Sequence, residues 1–337
     1  MSQAVKEETA KVTKMTTVQA LNLALHDAMA ENPEVFVLGE DVADSQEGGI
    51  CGVTKGLSSK YGEVRVRSTP IAEQAIIGAA IGAAIVGMRP VAEIMLMNFT
   101  TVAMDMIVNH AAKLRFMSGG QTNVPLVVRT MTGAGMGSGG QHSDFLEAWF
   151  AHTAGIKVVC PSTPADAYGL LLSAIDDNDP VLFVEHLPSY WTPGEAPERG
   201  VRIKLGKAKI VQPGRDVTLI SYSGTMIHAR AAAAALAAEG VEVELIDLRT
   251  ISPWDKETVL QSVKKTGRAV VAHEAVRAFG PGAEIAATIA EEAFSALKAP
   301  VRRVGAASCP VPFSRVLETA YMPGVEAITA SIRATLA

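Results

Sequence analysis

Short apolar runs alternate with helical patterns along this chain, and the alternation occurs in two separate blocks. In the first block the apolar runs are typical of buried strands. The runs are residues 35–38, 91–96, 125–129, 156–160 and 181–185, and the helical patterns are residues 73–87, 101–117 and 164–176. Strands that alternate with helices form a parallel sheet covered on both faces. The first block therefore predicts a doubly wound α/β domain.

A stretch rich in proline and glycine, residues 187–204, separates the second block from the first. The apolar runs beyond it are residues 217–222, 241–246, 269–272 and 301–304, and the helical patterns are residues 226–238 and 282–297. The chain is thus predicted to be an α/β protein with two doubly wound domains. We expect a mobile tail (1–15), a first domain (16–190), a linker (191–205) and a second domain (206–337).

The composition excludes several classes of function. With 337 residues, of which 48% are hydrophobic, the chain is long enough for two cores. A net charge of −5 argues against an electrostatic nucleic-acid binder. No apolar run reaches the roughly 18 residues of a membrane span, and the first fourteen residues have no apolar core, which predicts a cytoplasmic protein. The three cysteines are far apart, so they indicate neither a disulfide framework nor a metal cluster.

A glycine-rich segment follows the third apolar run. Residues 135–140 match the G-x-G-x-x-G pattern of dinucleotide-binding folds, in which the next strand ends in an acidic residue that holds the ribose. Here the next run ends in Val-Cys-Pro at residues 159–161, so a dinucleotide site is not expected. We expect instead a mobile glycine loop that delivers Gln141, His142 and Ser143 to a cleft. An ordinary loop histidine is the alternative for His142.

An acidic residue stands where the first long helical pattern begins. In residues 68–74 (Ser-Thr-Pro-Ile-Ala-Glu-Gln), Thr69 can cap the helix and Pro70 suits its first turn. Glu73 then falls one residue beyond the capping-box position and is not needed to close the helix. The alternative is a glutamate that the helix dipole favours in the first turn. The spacing by itself leaves both interpretations open.

Eight motifs occur in an order that points to one family, among them Thr-Pro-Ile-Ala-Glu and Gln-His-Ser. They are residues 35–42, 52–57, 69–73, 87–93, 111–113, 141–143, 247–253 and 310–313. They resemble the beta subunit of the thiamine-diphosphate-dependent decarboxylating component of 2-oxo acid dehydrogenase complexes. That group includes the pyruvate, branched-chain 2-oxo acid and acetoin dehydrogenases. The resemblance covers about residues 16–335 and implies a transketolase-like pyrimidine-binding domain followed by a transketolase C-terminal-like domain.

The resemblance assigns roles to four residues. Glu73 matches the glutamate that hydrogen-bonds N1′ of the aminopyrimidine of thiamine diphosphate, a contact that promotes loss of the proton at C2 of the thiazolium. A buried carboxyl group with a raised pKa suits this role, because burial favours the protonated form. Phe99 matches the aromatic residue that stacks on the aminopyrimidine, and His142 matches a histidine at the active-site entrance. Glu40 matches a second acidic residue near the cofactor, ranked below Glu73.

The resemblance also implies a structural monovalent cation, such as K⁺, held largely by backbone carbonyl groups. By motif position these belong to Leu126, Ala174, Asp177 and Asp179. Backbone ligands leave little trace in a sequence. An ordinary helix-ending turn over residues 176–180 therefore remains an equal alternative.

Two departures from the superfamily pattern are informative. The Gly-Asp-Gly motif that binds Mg²⁺ and the diphosphate does not occur in this sequence. The resemblance therefore implies that these ligands come from an alpha subunit, in an α2β2 tetramer. In addition, Ser68 stands where the family usually has aspartate before Thr-Pro, which leaves the identity of the substrate open.

The sequence thus predicts the beta subunit of an enzyme that decarboxylates a small, pyruvate-like 2-oxo acid or cleaves acetoin. The acyl group would pass to a lipoyl acyltransferase. One alternative is a two-component transketolase-like enzyme that transfers a two-carbon unit to another acceptor, such as a carrier protein. Another is a non-catalytic interaction subunit. The presence of Glu73, Phe99 and His142 together argues against the non-catalytic alternative.

Overall fold

The computed structural model describes residues 14–337, so residues 1–13 of the predicted tail lie outside the described residues. The strands are β1 (Lys14–Met15), β2 (Val35–Gly39), β3 (Val66–Ser68), β4 (Arg89–Leu96), β5 (Val127–Thr132), β6 (Lys157–Val159), β7 (Val181–His186), β8 (Gly194–Glu195), β9 (Lys209–Gln212), β10 (Val217–Ser221), β11 (Val243–Asp247), β12 (Thr250–Ser252), β13 (Ala269–Val276) and β14 (Arg302–Ala306). The α-helices are α1 (Thr17–Glu31), α2 (Leu57–Tyr61), α3 (Glu73–Ile85), α4 (Leu114–Met117), α5 (Glu147–Ala151), α6 (Pro164–Asp176), α7 (Thr225–Ala237), α8 (Lys256–Thr266), α9 (Pro281–Glu292), α10 (Arg315–Tyr321) and α11 (Val325–Leu336).

A seven-stranded sheet organises the first half of the chain, in the order β12-β6-β7-β5-β4-β2-β3. All of its neighbouring pairs are parallel except β12 with β6. β2, β5 and most of β4 and β7 are buried along their length, as expected for strands covered on both faces. The predicted doubly wound α/β architecture is confirmed here.

The second half forms a five-stranded sheet in the order β14-β13-β10-β11-β9, with β9 antiparallel at one edge. The predicted second α/β domain is confirmed. The sequence analysis did not predict α8, α10 and α11 in this half, nor α1 in the first half. The single helix predicted over residues 101–117 is wrong. A π-helix, Met106–Ala111, interrupts the segment, and only the short α4 follows it.

The two halves of the chain share one core. The largest apolar cluster joins Ile76 and Phe150 of the first half to Tyr222, Leu248 and Ile285 of the second. In addition, β12 comes from the second half but pairs with β6, so it completes the first sheet. The sequence did not reveal β12, because three residues are too few to show a strand pattern. No helix within residues 14–337 is long and apolar enough to cross a membrane.

The predicted linker lies against the first half of the chain. Gly200 N donates to the hydroxyl of Tyr168 at 2.7 Å, and Ile203 N donates to Gly169 O at 3.1 Å. Arg202 pairs with Glu31 at the end of α1 and with the last residue of α6. The segment is therefore tied to α1 and α6 at several points along its length.

Candidate active site

Four side chains that the sequence singled out follow the carboxyl ends of neighbouring parallel strands. Glu40 follows β2, Phe99 follows β4 and His142 follows β5. Glu73 opens α3, which comes after β3. These strands are adjacent in the order β3-β2-β4-β5, so the four residues lie along one edge of the sheet. Open α/β sheets bind their ligands at this edge.

Glu73 is the first residue of α3, and only 9% of it is exposed. The predicted cap is wrong, because Ala72 occupies the N-cap position and no side chain caps the helix. The chain stays extended beyond β3, and Thr69 N donates to Gly39 O at 2.9 Å, so the helix starts later than expected. The carboxylate of Glu73 thus lies at the helix N-terminus, where the helix dipole favours it.

A second carboxyl group lies close to Glu73. Glu40 is half-buried, and burial raises its pKa, as do the neighbouring charges of Glu73 and Asp41. Two carboxyl groups that share a site do not ionise independently, because each negative charge disfavours the other. The structure therefore brings Glu40 near Glu73, and the pKa of the Glu40 carboxyl group is raised there.

Phe99 and His142 form a second pair. Their ring centroids are 5.5 Å apart and the rings are nearly perpendicular, at 76°. Phe99 is half-buried in the 3₁₀ turn Met97–Thr101, whereas His142 is exposed. The edge-to-face contact fixes the imidazole beside the aromatic ring. His142 is thus the more accessible member of the pair, as an entrance residue requires.

Asn98 connects the turn after β4 to the loop that carries His142. Its amide nitrogen donates to Gly140 O at 3.0 Å and to the carboxylate of Asp144 at 2.9 Å. Asp144 N donates back to Asn98 Oδ1 at 3.2 Å. The structure thereby holds both sides of His142 against the residue before Phe99. Sequence reasoning missed this link, because it joins positions that are far apart in the chain.

The glycine loop (residues 133–143) contains the segment for which the sequence predicts mobility, and that mobility stays a prediction. The second half of the chain holds the loop through two buried carboxylates. Glu274 accepts from Ala134 N at 2.6 Å, and Glu318 accepts from Gly135 N at 2.6 Å. The ring of Phe313 lies so close to Gly139 that a Cβ there would approach it within 2.4 Å. Gly139 also has a φ angle of 74°, which few other residues adopt, so glycine suits residue 139 on both counts.

Glu274 also binds a histidine whose role the sequence left undecided. His186, the last residue of β7, lies 3.1 Å through Nε2 from Glu274 Oε2, and its Nδ1 lies 2.5 Å from Ser189 Oγ. His273 is fully buried, and burial lowers its pKa to about 4. It is therefore a neutral core residue at physiological pH. His186 was detectable in principle, since it lies at the carboxyl end of a strand of the first sheet.

A buried ion-pair cluster lies across the middle of the same sheet. Arg129 of β5 donates to Glu93 of β4 at 2.6 Å and to Glu185 of β7 at 2.7 Å. The hydroxyl of Tyr190 also donates to Glu185, and burial raises the pKa of the Glu185 carboxyl group. The sequence analysis passed over this cluster. The sequence signal of this cluster was one charged residue in each of three apolar runs, residues 91–96, 125–129 and 181–185.

The four residues predicted to bind a monovalent cation lie near the opposite edge, where β5 and β7 begin. Leu126 O accepts from Val181 N at 2.8 Å, and Ala174 O accepts from Asp177 N at 3.3 Å. The carboxylates of Asp177 and Asp179 bind Lys157 Nζ at 2.8 and 3.0 Å. Asp177 O also accepts from Arg89 Nη1 at 3.1 Å, so cationic side chains already contact this turn.

Ser68 is the residue that replaces the usual aspartate of the family. It ends β3, it is exposed, and its hydroxyl accepts from Ala43 N at 3.0 Å. The serine thus supplies an acceptor to the loop that follows β2. This contact is structural, and it connects Ser68 to the backbone near Glu40.

The residues present fit one half of a thiamine diphosphate site. The carboxylate of Glu73 is buried and forms no hydrogen bond within residues 14–337, so it is available to a ligand. The half-buried ring of Phe99 offers an aromatic surface along the same edge. Across the described part of the chain no three His, Cys, Asp or Glu side chains group to hold a metal ion. The features that fit are those of Glu73 and Phe99, which suit the aminopyrimidine.

Comparison with known proteins agrees with this geometry. Residues 13–191 match the family model for the transketolase pyrimidine-binding domain, and residues 206–328 match that for the transketolase C-terminal domain. A split-gene transketolase, described as an inactive beta4 tetramer, has the same fold with a TM-score of 0.76 at 23% identity. The alignment covers 96% of this chain and 98% of that one.

Two relatives are much closer in sequence. The beta subunit of acetoin:2,6-dichlorophenolindophenol oxidoreductase from Cupriavidus necator is 48% identical over 96% of this chain and 98% of its own length. The beta subunit of the pyruvate dehydrogenase E1 component from Staphylococcus epidermidis is 43% identical over 96% of this chain and 99% of its own length. The chain therefore belongs to the transketolase-like family that contains the beta subunits of the acetoin and pyruvate dehydrogenases.

Proposed function

We propose that this chain is the beta subunit of a heteromeric thiamine diphosphate enzyme that decarboxylates a small, pyruvate-like 2-oxo acid or cleaves acetoin. The observation that carries the proposal is the buried carboxylate of Glu73, which no residue of the described chain binds. The names of the relatives support it. They favour neither a two-component transketolase nor a non-catalytic subunit.

In this proposal Glu73 binds N1′ of the aminopyrimidine. Its place at the start of a packed helix fixes the carboxyl group, and the neighbouring Glu40, whose pKa is raised, lies close to it. Bound thiamine diphosphate supplies a nucleophilic carbon and an electron sink for decarboxylation. The role of Glu73 is to hold a proton at N1′, and Glu40 is the second acidic residue near the cofactor.

Phe99 and His142 serve different parts of the same site. The ring of Phe99 would stack on the aminopyrimidine, since it is half-buried at the end of β4. The exposed imidazole of His142 would meet the incoming substrate or acyl acceptor, either by donating a proton or by orienting it. The contact between the two rings keeps the entrance group next to the cofactor surface.

The other half of the site would come from an alpha subunit. This chain has no Gly-Asp-Gly motif, so the Mg²⁺ and diphosphate ligands are assigned to that partner. The beta-subunit names of the relatives support such a partner. We infer an α2β2 tetramer that passes its acyl group to a lipoyl acyltransferase. We also infer a structural K⁺ at the carbonyl groups of Leu126, Ala174, Asp177 and Asp179.

Calorimetry with thiamine diphosphate and Mg²⁺ tests the division of the site between two chains. We expect weak or no binding to this chain alone and tight binding after the alpha partner is added. The assembled enzyme would then be assayed with pyruvate, longer 2-oxo acids and acetoin, with dichlorophenolindophenol as electron acceptor. Tight, Mg²⁺-dependent binding by this chain alone would contradict the two-subunit proposal. Inactivity towards every substrate of the panel would contradict the proposed reaction.

A further inference from the structure

The glycine loop has little internal structure of its own. Its one backbone hydrogen bond between two loop residues joins His142 N to Gly139 O at 3.2 Å. Gly135, Gly137 and Gly139 have φ angles of 115°, 69° and 74°, which few other residues adopt. A loop of this kind loses much conformational entropy when it is ordered. Contacts from outside the loop must therefore define its shape.

One of these contacts comes from an unusual position on α10. This helix has two buried residues, Glu318 and Tyr321, so a charged residue occupies its inward face. Glu318 is 1% exposed. Its carboxylate accepts from Gly135 N at 2.6 Å and from Gly137 N at 3.1 Å. Burial of a carboxylate is costly unless hydrogen bonds compensate it, and here two loop amides do so.

Neighbouring residues of the same segment complete the anchor. The side chain of Pro310 would lie 3.2 Å from a Cβ at Gly140, and the ring of Phe313 packs against Gly139. Asn98 holds the opposite side of the loop through Gly140 O. The position of the imidazole at residue 142 thus depends on contacts from Glu318, Glu274 and Asn98, and only Asn98 belongs to the first half of the chain.

We propose that Glu318 is a positioning residue that fixes the glycine loop, and with it His142, from the C-terminal half of the chain. The carboxylate acts through two backbone amides and does not itself touch the reacting atoms. Its functional consequence rests on the entrance role proposed for His142. The anchor itself is a property of the fold and can be measured without turnover.

Hydrogen exchange of the assembled alpha–beta complex tests the anchor. Glu318→Gln replaces the carboxylate with an amide that is a weaker acceptor, and Glu318→Asp keeps the charge but shortens its reach. We expect both variants to increase exchange in peptides from residues 133–143 by at least about tenfold, if the loop opens by local fluctuation. Glu244→Gln is the matched control, because Glu244 is also 1% exposed in the second half but binds Gly214 and Lys265.

Activity of the same complexes tests the consequence. A loop that is loosened by about 1 Å can cost up to roughly 10²-fold in rate. We expect Glu318→Gln to lower kcat about 10- to 100-fold, while exchange of the cofactor C2 proton is retained, because the roles proposed for Glu73 and Glu40 do not involve this loop. Glu318→Asp should lie between wild type and Glu318→Gln, since it retains charge. Glu244→Gln should change neither loop exchange nor kcat.

Unchanged exchange over residues 133–143 in both Glu318 variants would overturn the proposal. Equal loosening in Glu244→Gln would overturn it as well, since the effect would then be global. Increased loop exchange with an unaltered kcat would overturn the positioning role. If wild-type complex proves inactive on every substrate, the proposed function fails, but the exchange experiment still reports on the anchor.

Discussion

At the scale of single residues, the site depends on a carboxyl group that the protein itself leaves without a partner. A buried carboxylate normally finds hydrogen-bond donors, as Glu318 and Glu274 do in the glycine loop. Glu73 is buried to a similar degree but binds nothing within residues 14–337. Its oxygen atoms are not among the fully buried side-chain atoms that lack a partner, so they stay open to a ligand, which favours a ligand contact over the alternative of a simple dipole-favoured glutamate.

Glu73→Gln is therefore expected to separate chemistry from stability. The amide keeps the size of the side chain but cannot hold a proton for N1′. Turnover of the assembled enzyme should fall by at least about 10²–10⁴-fold, the range typical of acid–base catalysis. The melting temperature should change little, because Glu73 caps no helix. The control is Glu63→Gln at an exposed position, and near-normal C2 proton exchange in Glu73→Gln would contradict the assignment.

His142→Ala should affect a different step. The exposed imidazole contacts Phe99 but does not lie with the Glu40 and Glu73 pair. Cofactor binding and C2 proton exchange should thus survive, while decarboxylation or acyl transfer slows by about 10²-fold or more. His228→Ala on α7 controls for the loss of an imidazole elsewhere. If overall turnover is unchanged in His142→Ala, His142 is an ordinary loop histidine.

At the scale of secondary structure, the two ends of the parallel strands in the first sheet carry different candidate sites. Parallel strands β2, β4 and β5 all end where the candidate catalytic residues lie. At the opposite end of the strands, the C-terminus of α6 and the starts of β5 and β7 bring several carbonyl groups together. Lys157 neutralises the carboxylates of Asp177 and Asp179 there. Because Arg89 also donates to Asp177 O, a bound cation would have to share this turn with Arg89 and Lys157.

Replacement of K⁺ tests this second site. A K⁺ ion that binds the folded state and not the unfolded state stabilises the chain by RT ln(1 + [K⁺]/Kd). This is about 2.7 kcal/mol at a hundredfold excess over Kd. The melting temperature should therefore rise by several degrees, and saturate, as KCl is added. Tetramethylammonium chloride at the same ionic strength is the control, because it screens charges without fitting four carbonyl groups. Equal melting temperatures in the two salts would show that the turn is an ordinary helix end.

At the scale of the whole molecule, the two halves are joined through buried polar contacts as well as through a shared core. The hydroxyl of Tyr222, after β10, donates to Glu147 at the start of α5. Burial raises the pKa of Glu147 to about 7, and its second carboxyl oxygen has no partner within residues 14–337. The carboxyl group is thus most compatible with the fold when it is protonated.

This pKa predicts how stability depends on pH. The folded chain binds a proton at Glu147 up to about pH 7, whereas the unfolded chain releases it near the ordinary glutamate pKa of about 4.3. The folded state thus holds more protons in this window, and stability falls as pH rises through it. The melting temperature should decline between pH 5 and 8, and Glu147→Gln should reduce the decline. Part of the decline should remain in this variant, because burial also raises the pKa of Asp247 to about 7.

Glu244→Gln is the control for this experiment. Burial by itself would raise the pKa of Glu244. The hydrogen bonds to its carboxylate, above all the one from Lys265, outweigh burial, so the pKa is lowered. Both its folded and unfolded forms are therefore ionised above pH 5, and its replacement should leave the slope between pH 5 and 8 unchanged. An identical slope in wild type and Glu147→Gln would contradict the raised pKa of Glu147.

The sequence by itself determined the α/β class, the two sheets and the family. It did so because buried parallel strands form apolar runs, and because Thr-Pro-Ile-Ala-Glu and Gln-His-Ser occur in a family-specific order. Glu73 at a helix start and His142 beyond a strand end could be recognised locally, whereas Phe99 came from the family resemblance alone, and the roles of all three stay predictions. The start of α3 was wrong, because a hydrogen bond from Thr69 to the end of β2 outweighed the local capping preference.

Only the tertiary structure decided how those residues are held. The contacts of Glu318 with Gly135 and Gly137 join positions about 180 residues apart, and no local pattern encodes such a pairing. The same is true of β12, which completes the first sheet from the second half of the chain. The sequence could therefore name candidate groups for the chemistry. Their positions depend on long-range contacts that exist only in the folded chain.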